Sequence, residues 1–348
     1  MARRLALTRS ALTSILALAF VCVLVFALFN YRGRCVITMP ETLVKSPGVT
    51  GVDSSRCQVE WHKLGVRQID ITEVPNFNVT LEKNPEVKVG GHWKPQGCVS
   101  WQKVAIVIPY RDRDQHLKIL LSHLHPMLNR QKIEYRIFVI EQWGDDKFNR
   151  GKLMNAGFIE SEKYGPFDCF IFHDVDLVPE NDRNLYLCDN HLRHLSSAID
   201  EMRYHVMYYN YAGGVIAIKK DRFIEVNGFA NSYWGWGNED DDFSARTQEK
   251  NLLLTRPPEY IGRFKMVRHK KESRNAHGND LFFGWRGRWE TDGLNSHKTM
   301  NYSILTEEEM PLYTQISVDL GPSKNHMINP DDDTTKESLW TILSFYFP

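Results

Sequence analysis

The chain has 348 residues, with 43 basic and 43 acidic side chains, so its formal net charge is zero. That length accommodates one large domain or two, with a sizeable core. The charge balance excludes a strong overall preference for nucleic acid and leaves only local basic patches.

The N-terminus comes first. "MARRLALTRS" carries Arg3, Arg4 and Arg9, and an uncharged run follows from Ala11 to Phe29. As a helix rising about 1.5 Å per residue, this run is just long enough for a hydrocarbon core of roughly 30 Å. A cleaved signal peptide has a shorter apolar region and then a small-residue cleavage site, whereas "NYRGRC" follows here. The run is therefore read as an uncleaved transmembrane anchor at 11–29 behind a cytoplasmic tail at 1–10. Arg32 and Arg34 beyond the span keep the charge asymmetry modest, but it favours a cytosolic N-terminus. Of the six cysteines, Cys22 falls in the span. The other five suit an oxidising compartment as two disulfides and a spare thiol, with Cys35 the natural spare. "NVT" at Asn78 and "NYS" at Asn301 are glycosylation sequons on that same side.

Residues 30–95 are polar and aperiodic, and read as a lumenal stem leading into the start of the lumenal domain. Regular structure then begins, with a catalytic-size region at 96–325. "VAIVIPY" is a buried-strand run. "DQHLKILLSHLHPMLNR" places Leu117, Leu120, Leu121, Leu124 and Leu128 at helical spacing, with Pro126 expected to kink or end the helix. "YRIFVIEQ" is a strand, "RGKLMNAGFIESEKYG" a helix and "CFIFHDVDL" a strand. Alternating strands and helices predict an α/β fold with a mainly parallel central sheet, whose ligands bind beyond the carboxyl ends of the strands.

Three groups lie at those ends: "PYRDR" at 109–113, "FNR" at 148–150 and "HDVD" at 173–176. No GxGxxG or P-loop pattern occurs. Arg111, Arg113 and Arg150 stand where glycines would, and arginine grips phosphate oxygens in a two-pronged geometry. If "CFIFHDVDL" is extended throughout, Asp174 and Asp176 point the same way with Val175 opposite. Two carboxylates on one face repel unless a cation or hydrogen-bond donors sit between them. Together these groups suggest a phosphorylated ligand beside a divalent metal. Further along, "YAGGV" is a Gly-Gly turn feeding a strand, and "NGFANSYWGWGNEDDDF" interleaves aromatics and glycines before four acids. The acids suit a helix N-terminus. Aromatic rings beside carboxylates also suit a sugar, and the glycines around Trp236 would let the loop move. In "RFKMVRH" chemistry alone does not pair Met266 with His269, because methionine is a soft ligand. The tail 326–348 ends in an apolar stretch too short to span a membrane.

Taken together, "IPYRDR", "FNRGKLMNAGF", "DVDLVPEN", "YAGGV", "NGFANSYWGWGNEDDDF", "MVRH" and "DGLNS" resemble the β-1,4-galactosyltransferase family, over about Cys57 to Gly321. The resemblance implies a GT-A (Rossmann-like, nucleotide-sugar-binding) domain in a single-pass type II Golgi membrane enzyme. It implies transfer of galactose from a UDP-sugar, with inversion and Mn²⁺, to a glycan acceptor ending in N-acetylglucosamine. It admits a modifying subunit. By resemblance, Asp176, Met266 and His269 hold the metal, against the reading of Met266 from chemistry alone. Pro109, Tyr110, Arg111, Arg113, Phe148, Asn149, Arg150, Asp174, Val175 and Trp236 hold the donor. Asp240 is the base, with Glu239 beside the donor sugar. Tyr208, Tyr211, Gly214, Asp241 and Phe282 border the sugar and acceptor. The family's disulfides fall on Cys57–Cys98 and Cys169–Cys188. Three positions depart from its pattern: Ala212 replaces an aromatic, Asn238 a glycine and Leu281 an arginine. Tyr211 favours UDP-galactose, whereas Ala212 opens the alternative of UDP-N-acetylgalactosamine. A non-catalytic lectin-like protein is a third reading, and it predicts loss of the metal or base residues.

Overall fold

The computed structural model describes residues 35–44, 55–269, 273–296 and 299–323. The expected anchor and cytoplasmic tail, and the 326–348 extension, lie outside the described residues. Among the described residues no helix is long and apolar enough to cross a membrane.

The core is a mixed sheet built around β3 (Lys103–Tyr110), β4 (Glu134–Gln142) and β5 (Cys169–His173), which are mutually parallel. Beyond β5 the order continues through β9 (Val215–Lys219), β7 (Leu192–His194), β10 (Leu254–Arg256) and β1 (Cys35–Ile37). Beyond β4 it runs through β13 (Thr314–Asp319) to β12 (Ser303–Glu309). Within this sheet, among the described residues, β9, β12 and the short β2 (His92–Trp93) are the strands that run antiparallel to their neighbours. Alternation along β3 explains why both faces are covered. Val104, Ile106 and Ile108 pack with Leu117, Leu120, Leu121 and Leu124 of one helix, Asp114–Arg130. Ala105 and Val107 pack with Leu153, Met154 and Ala156 of another, Arg150–Ser161. That second helix seats closely because of Gly157, where an added Cβ would lie 2.4 Å from a Val107 methyl.

Three local expectations change. The helix expected to kink or end at Pro126 is continuous to Arg130, since Leu124, Met127 and Leu128 on either side of the proline are held in the core. The strand expected to carry both acids ends at His173. Asp174, Val175 and Asp176 form a turn closed by Leu177 N–H donating to the Asp174 carbonyl at 3.3 Å. The chain then enters a second, three-stranded sheet of β6 (Leu177–Pro179), β11 (Arg263–Met266) and β8 (Ala198–Ile199). Finally, the region read as stem contributes β1, which pairs with β10 at the sheet edge. Both disulfides, Cys57–Cys98 and Cys169–Cys188, are formed, and Cys35 is free.

Candidate active site

A cavity of about 640 Å³ opens beyond the carboxyl ends of β3 and β5. Its walls come from segments far apart in sequence: Pro109, Arg111 and Arg113 after β3, Phe148 and Arg150 at a helix start, and the Asp174–Asp176 turn. Tyr208, Tyr211 and Gly214 line it before β9, and Trp236 and Glu239–Asp241 before and at the start of another helix, Glu239–Glu249. Met266, the last residue of β11, and His269 complete it. Because β6 and β11 are neighbours, the Asp174–Asp176 turn and His269 meet across the second sheet; Met266 pairs in register with Leu177.

The two acids of the turn hold different partners. Asp174 Oδ1 accepts from Arg150 Nε at 2.6 Å. Asp176 Oδ2 lies 3.0 Å from His269 Nε2, and His269 Nδ1 lies 3.5 Å from Arg113 Nη2. Arg150 also reaches Glu239 Oε1 at 3.4 Å and the Gly214 carbonyl at 3.2 Å, so one guanidinium ties three loops together. Glu239 Oε2 is buried with no hydrogen-bond partner among the described residues.

Electrostatics follow from this crowding. Three carboxylates, Asp174, Glu239 and Asp240, share the single Arg150. Burial pushes Asp174 up to about 6, with Arg150 opposing. Burial and the neighbouring Asp240 push Glu239 up to about 7. Asp240 is raised by burial, again against Arg150. Asp241 instead accepts from the Tyr208 hydroxyl at 2.5 Å. The Gly-Gly turn makes room for Asp240: a Cβ on Gly213 would lie 2.4 Å from Asp240 Oδ2 and 2.6 Å from Tyr211 Oη. Trp236 is 51% exposed, between Gly235 at φ +89° and Gly237 at φ +116°. Its N–H donates to the Ser273 carbonyl at 2.9 Å, and its carbonyl accepts from Asn275 N–H at 3.0 Å.

Three residues expected in the site do not line the cavity. Asn149 is fully buried; its side chain accepts from Lys152 N–H at 2.9 Å and donates to the Asn231 carbonyl at 2.7 Å, capping the helix that carries Arg150. Tyr110 ends β3 packed against the core. Phe282 packs with Ala245 and Trp285 in a separate cluster. Conversely, Met202, Met207, Arg274 and Asn279 line the cavity without a motif to announce them. Of the departures, Ala212 is buried in the core behind the wall and Leu281 packs on Ala230 and Tyr233, while Asn238 faces the cavity.

Asp176, His269 and Met266 offer oxygen, nitrogen and sulfur donors on the lining of one cavity. No group of three or more His, Cys, Asp or Glu side chains suited to a metal occurs among the described residues. A cation here would draw on the thioether and on oxygens of its ligand, and carboxylate with imidazole suits a divalent first-row ion. The donor set therefore fits.

The arrangement of strand-end cations, paired acids and an acid-led helix around one cleft is that of a glycosyltransferase. Family models describing the N-terminal region of glycosyl transferase group 7 and the N-terminal domain of galactosyltransferase match residues 57–189 and 193–270. Human β-1,4-galactosyltransferase 1 is 43% identical over 284 residues, 80% of this chain and 71% of its own. The mouse protein of that name is 45% identical over 261 residues, and the match spans 74% of this chain but 65% of the mouse protein's length. The crystal structure of a Drosophila β-1,4-galactosyltransferase 7 mutant with manganese, UDP-Gal and xylobiose superimposes with a TM-score of 0.55 at 28% identity, covering 66% of this chain and 97% of that one. The chain belongs to the β-1,4-galactosyltransferase family.

Proposed function

We propose that this protein is an inverting β-1,4-galactosyltransferase that moves galactose from UDP-galactose to a terminal β-N-acetylglucosamine. The carrying observation is that Asp176, His269 and Met266 line the same cavity as Glu239, Asp240 and Asp241, with Arg150 tying the two groups together through Asp174 at 2.6 Å and Glu239 at 3.4 Å. UDP-Gal and manganese in the Drosophila relative support the donor and the metal. Asp176, His269 and Met266 would hold Mn²⁺, which when bound offsets charge on the diphosphate as a Lewis acid.

The protein's own residues do the rest. Arg111 and Arg113, which line the cleft, would face the diphosphate. Glu239 borders the donor sugar, and Asp241, oriented by Tyr208, takes an acceptor hydroxyl. Asp240 removes the proton of the acceptor 4-hydroxyl as that oxygen bonds to galactose C1. The C1–phosphate bond breaks, UDP departs and the configuration inverts. A base must reach the attacking oxygen and be ionised at the working pH. Trp236, between its two glycines, covers the donor and excludes water, the competing nucleophile.

The alternative donor, UDP-N-acetylgalactosamine, rested on space released at Ala212. That residue is 3% exposed and packed in the core, whereas Tyr211 forms the wall. The geometry therefore favours galactose. A lectin reading has little support, since the metal and base residues are all present. The uncharged run at 11–29, the two disulfides and the exposed sequon at Asn301 support a type II Golgi membrane protein with its catalytic domain in the lumen.

The test is a donor competition on the detergent-solubilised full chain, with Mn²⁺, a β-N-acetylglucosaminide and equal amounts of the two UDP-sugars, the product identified by mass. A galactose product is expected. An N-acetylgalactosamine product overturns the donor assignment, and no product with either overturns the acceptor.

A further inference from the structure

The wall against which Asp240 rests is held from behind by a buried network that touches no reacting atom. Arg256 is 4% exposed and has no carboxylate partner among the described residues. A buried guanidinium without a counter-charge is costly, and this one is spread over three acceptors. Nε donates to His194 Nδ1 at 3.1 Å, Nη2 to the Tyr211 carbonyl at 2.5 Å and Nη1 to Cys35 Sγ at 2.9 Å. Since Arg256 donates to Nδ1, His194 carries its hydrogen on Nε2, which donates to the Gly213 carbonyl at 2.9 Å. Ser196 Oγ donates to the same carbonyl at 3.1 Å and accepts from Val215 N–H at 2.8 Å. The Tyr211 ring stands edge-on to His194, with centroids 5.3 Å apart. Segment 211–213 is thus bolted at two carbonyls on its inner side. Its outer side, at Gly213, touches the Asp240 carboxylate so closely that a methyl group has no room.

We propose that Arg256 and His194 are positioning residues, which fix the Tyr211–Gly213 backbone so that Asp240 meets the acceptor hydroxyl in reacting geometry. The inference rests on Asp240 being the base. A displacement of about 1 Å at a reacting group is enough to lose roughly 100-fold in rate. The pair should therefore act on turnover and leave alone the binding of UDP itself, which lacks the sugar that Tyr211 borders.

The test uses the full chain with three substitutions. His194→Phe keeps the ring and its contact with Tyr211 but removes both bonds. His194→Gln restores a donor for the Gly213 carbonyl. Arg256→Lys keeps the charge but cannot serve three diverging acceptors. For His194→Phe and Arg256→Lys, kcat should fall about 10- to 100-fold, while the calorimetric affinity for UDP with Mn²⁺ stays within about two-fold. His194→Gln should recover most of the loss. Unchanged kcat in His194→Phe overturns the proposal, as does equal loss of turnover and UDP affinity, or a Gln variant as impaired as the Phe variant. If His194→Phe does not fold, the Arg256→Lys split and the Gln variant decide by the same criteria. Asp240→Asn, assayed alongside, separates the two claims: retained turnover there condemns the base assignment, whereas an inactive Asp240→Asn with a normal His194→Phe condemns only the positioning role.

Discussion

The same short acidic helix start serves two regions with opposite charge accounting. Behind it, Asp242 and Asp292 meet Arg246 and Arg288: Asp242 takes Arg246 at 2.5 Å and Arg288 at 3.1 Å, and Asp292 takes Arg288 at 2.7 Å. All four are buried, and two positive charges answer two negative ones. In front, Asp174, Glu239 and Asp240 share Arg150, and their protonation is pushed upward. Balanced charge makes a cross-link. Surplus charge makes a site that stays incomplete until a cation, a sugar hydroxyl or a proton arrives.

The largest expected effects come from swapping one acid in each region. Asp240→Asn should lower kcat about 10²- to 10⁴-fold while leaving the melting temperature and UDP binding near those of the parent. Asp242→Asn leaves two buried arginines short of a partner, and should destabilise by about 3–5 kcal/mol in thermal or urea unfolding. If Asp242→Asn melts normally, or Asp240→Asn unfolds the protein, the division into structural and functional charge is wrong.

That division was not visible in "EDDD". Period and composition gave the central strands and both large helices, because β3, β4 and β5 are buried on both faces and their sequences show it. The strand-end rule and the family blocks pointed to most cavity-lining residues. What escaped depends on tertiary placement. Asn149 reads as a ligand in "FNR" but caps a helix, and "HDVD" reads as strand but turns, because the chain changes sheets at Asp174. Met202, at the end of the short 3₁₀ turn Asp200–Met202, and Arg274 reach the cavity from segments that carry no periodic or motif signal. Cys35 lies in a stretch that is polar and aperiodic, and only the pairing of β1 with β10 shows that it belongs to the sheet.

The next effect sharpens the cavity side. Asp176 and His269 stand 3.0 Å apart as a ready pair of donors. His269→Ala should weaken Mn²⁺ binding, measured calorimetrically with UDP present, by at least about 10-fold. An unchanged titration removes His269 from the ligand set and leaves the Asp176–His269 contact as an ordinary ion pair.

A smaller effect tests the surplus charge through stability. Glu239 is raised from its ordinary 4.5 to about 7. Between those values the folded protein holds a proton that the unfolded chain has released, so stability falls as pH rises through this window. Glu239→Gln removes that penalty at the expense of a 3.4 Å contact with Arg150. The metal-free variant should melt higher than the parent at pH 8, by an amount on the order of 1–3 kcal/mol, and the difference should vanish near pH 4.5. A variant that melts lower at pH 8 would mean that Arg150 outweighs burial and that the cavity carries no charge surplus at this residue.

The smallest effect concerns Asn238, one of the three positions that depart from the pattern of the resemblance. Its φ is +73°, a left-handed conformation that asparagine tolerates better than most residues with a side chain. Although it stands at the helix N-cap, its side chain makes no capping hydrogen bond. Asn238→Gly relieves the backbone but enlarges the freedom of the unfolded chain, two terms of similar size and opposite sign. Stability should change by less than about 1 kcal/mol. The side chain nevertheless faces the cavity, and its Oδ1 would lie 2.9 Å from a Cβ on Gly278, at the start of the Gly278–Phe283 helix. If the acceptor binds on this side, as the proposed roles of Asp240 and Asp241 require, removing it gives the acceptor room, so the KM for the acceptor should shift while that for UDP-galactose does not. A shift in the donor KM instead would move Asn238 to the donor half, and the line between the two halves of the cavity would have to be redrawn through the Asn238–Asp240 turn.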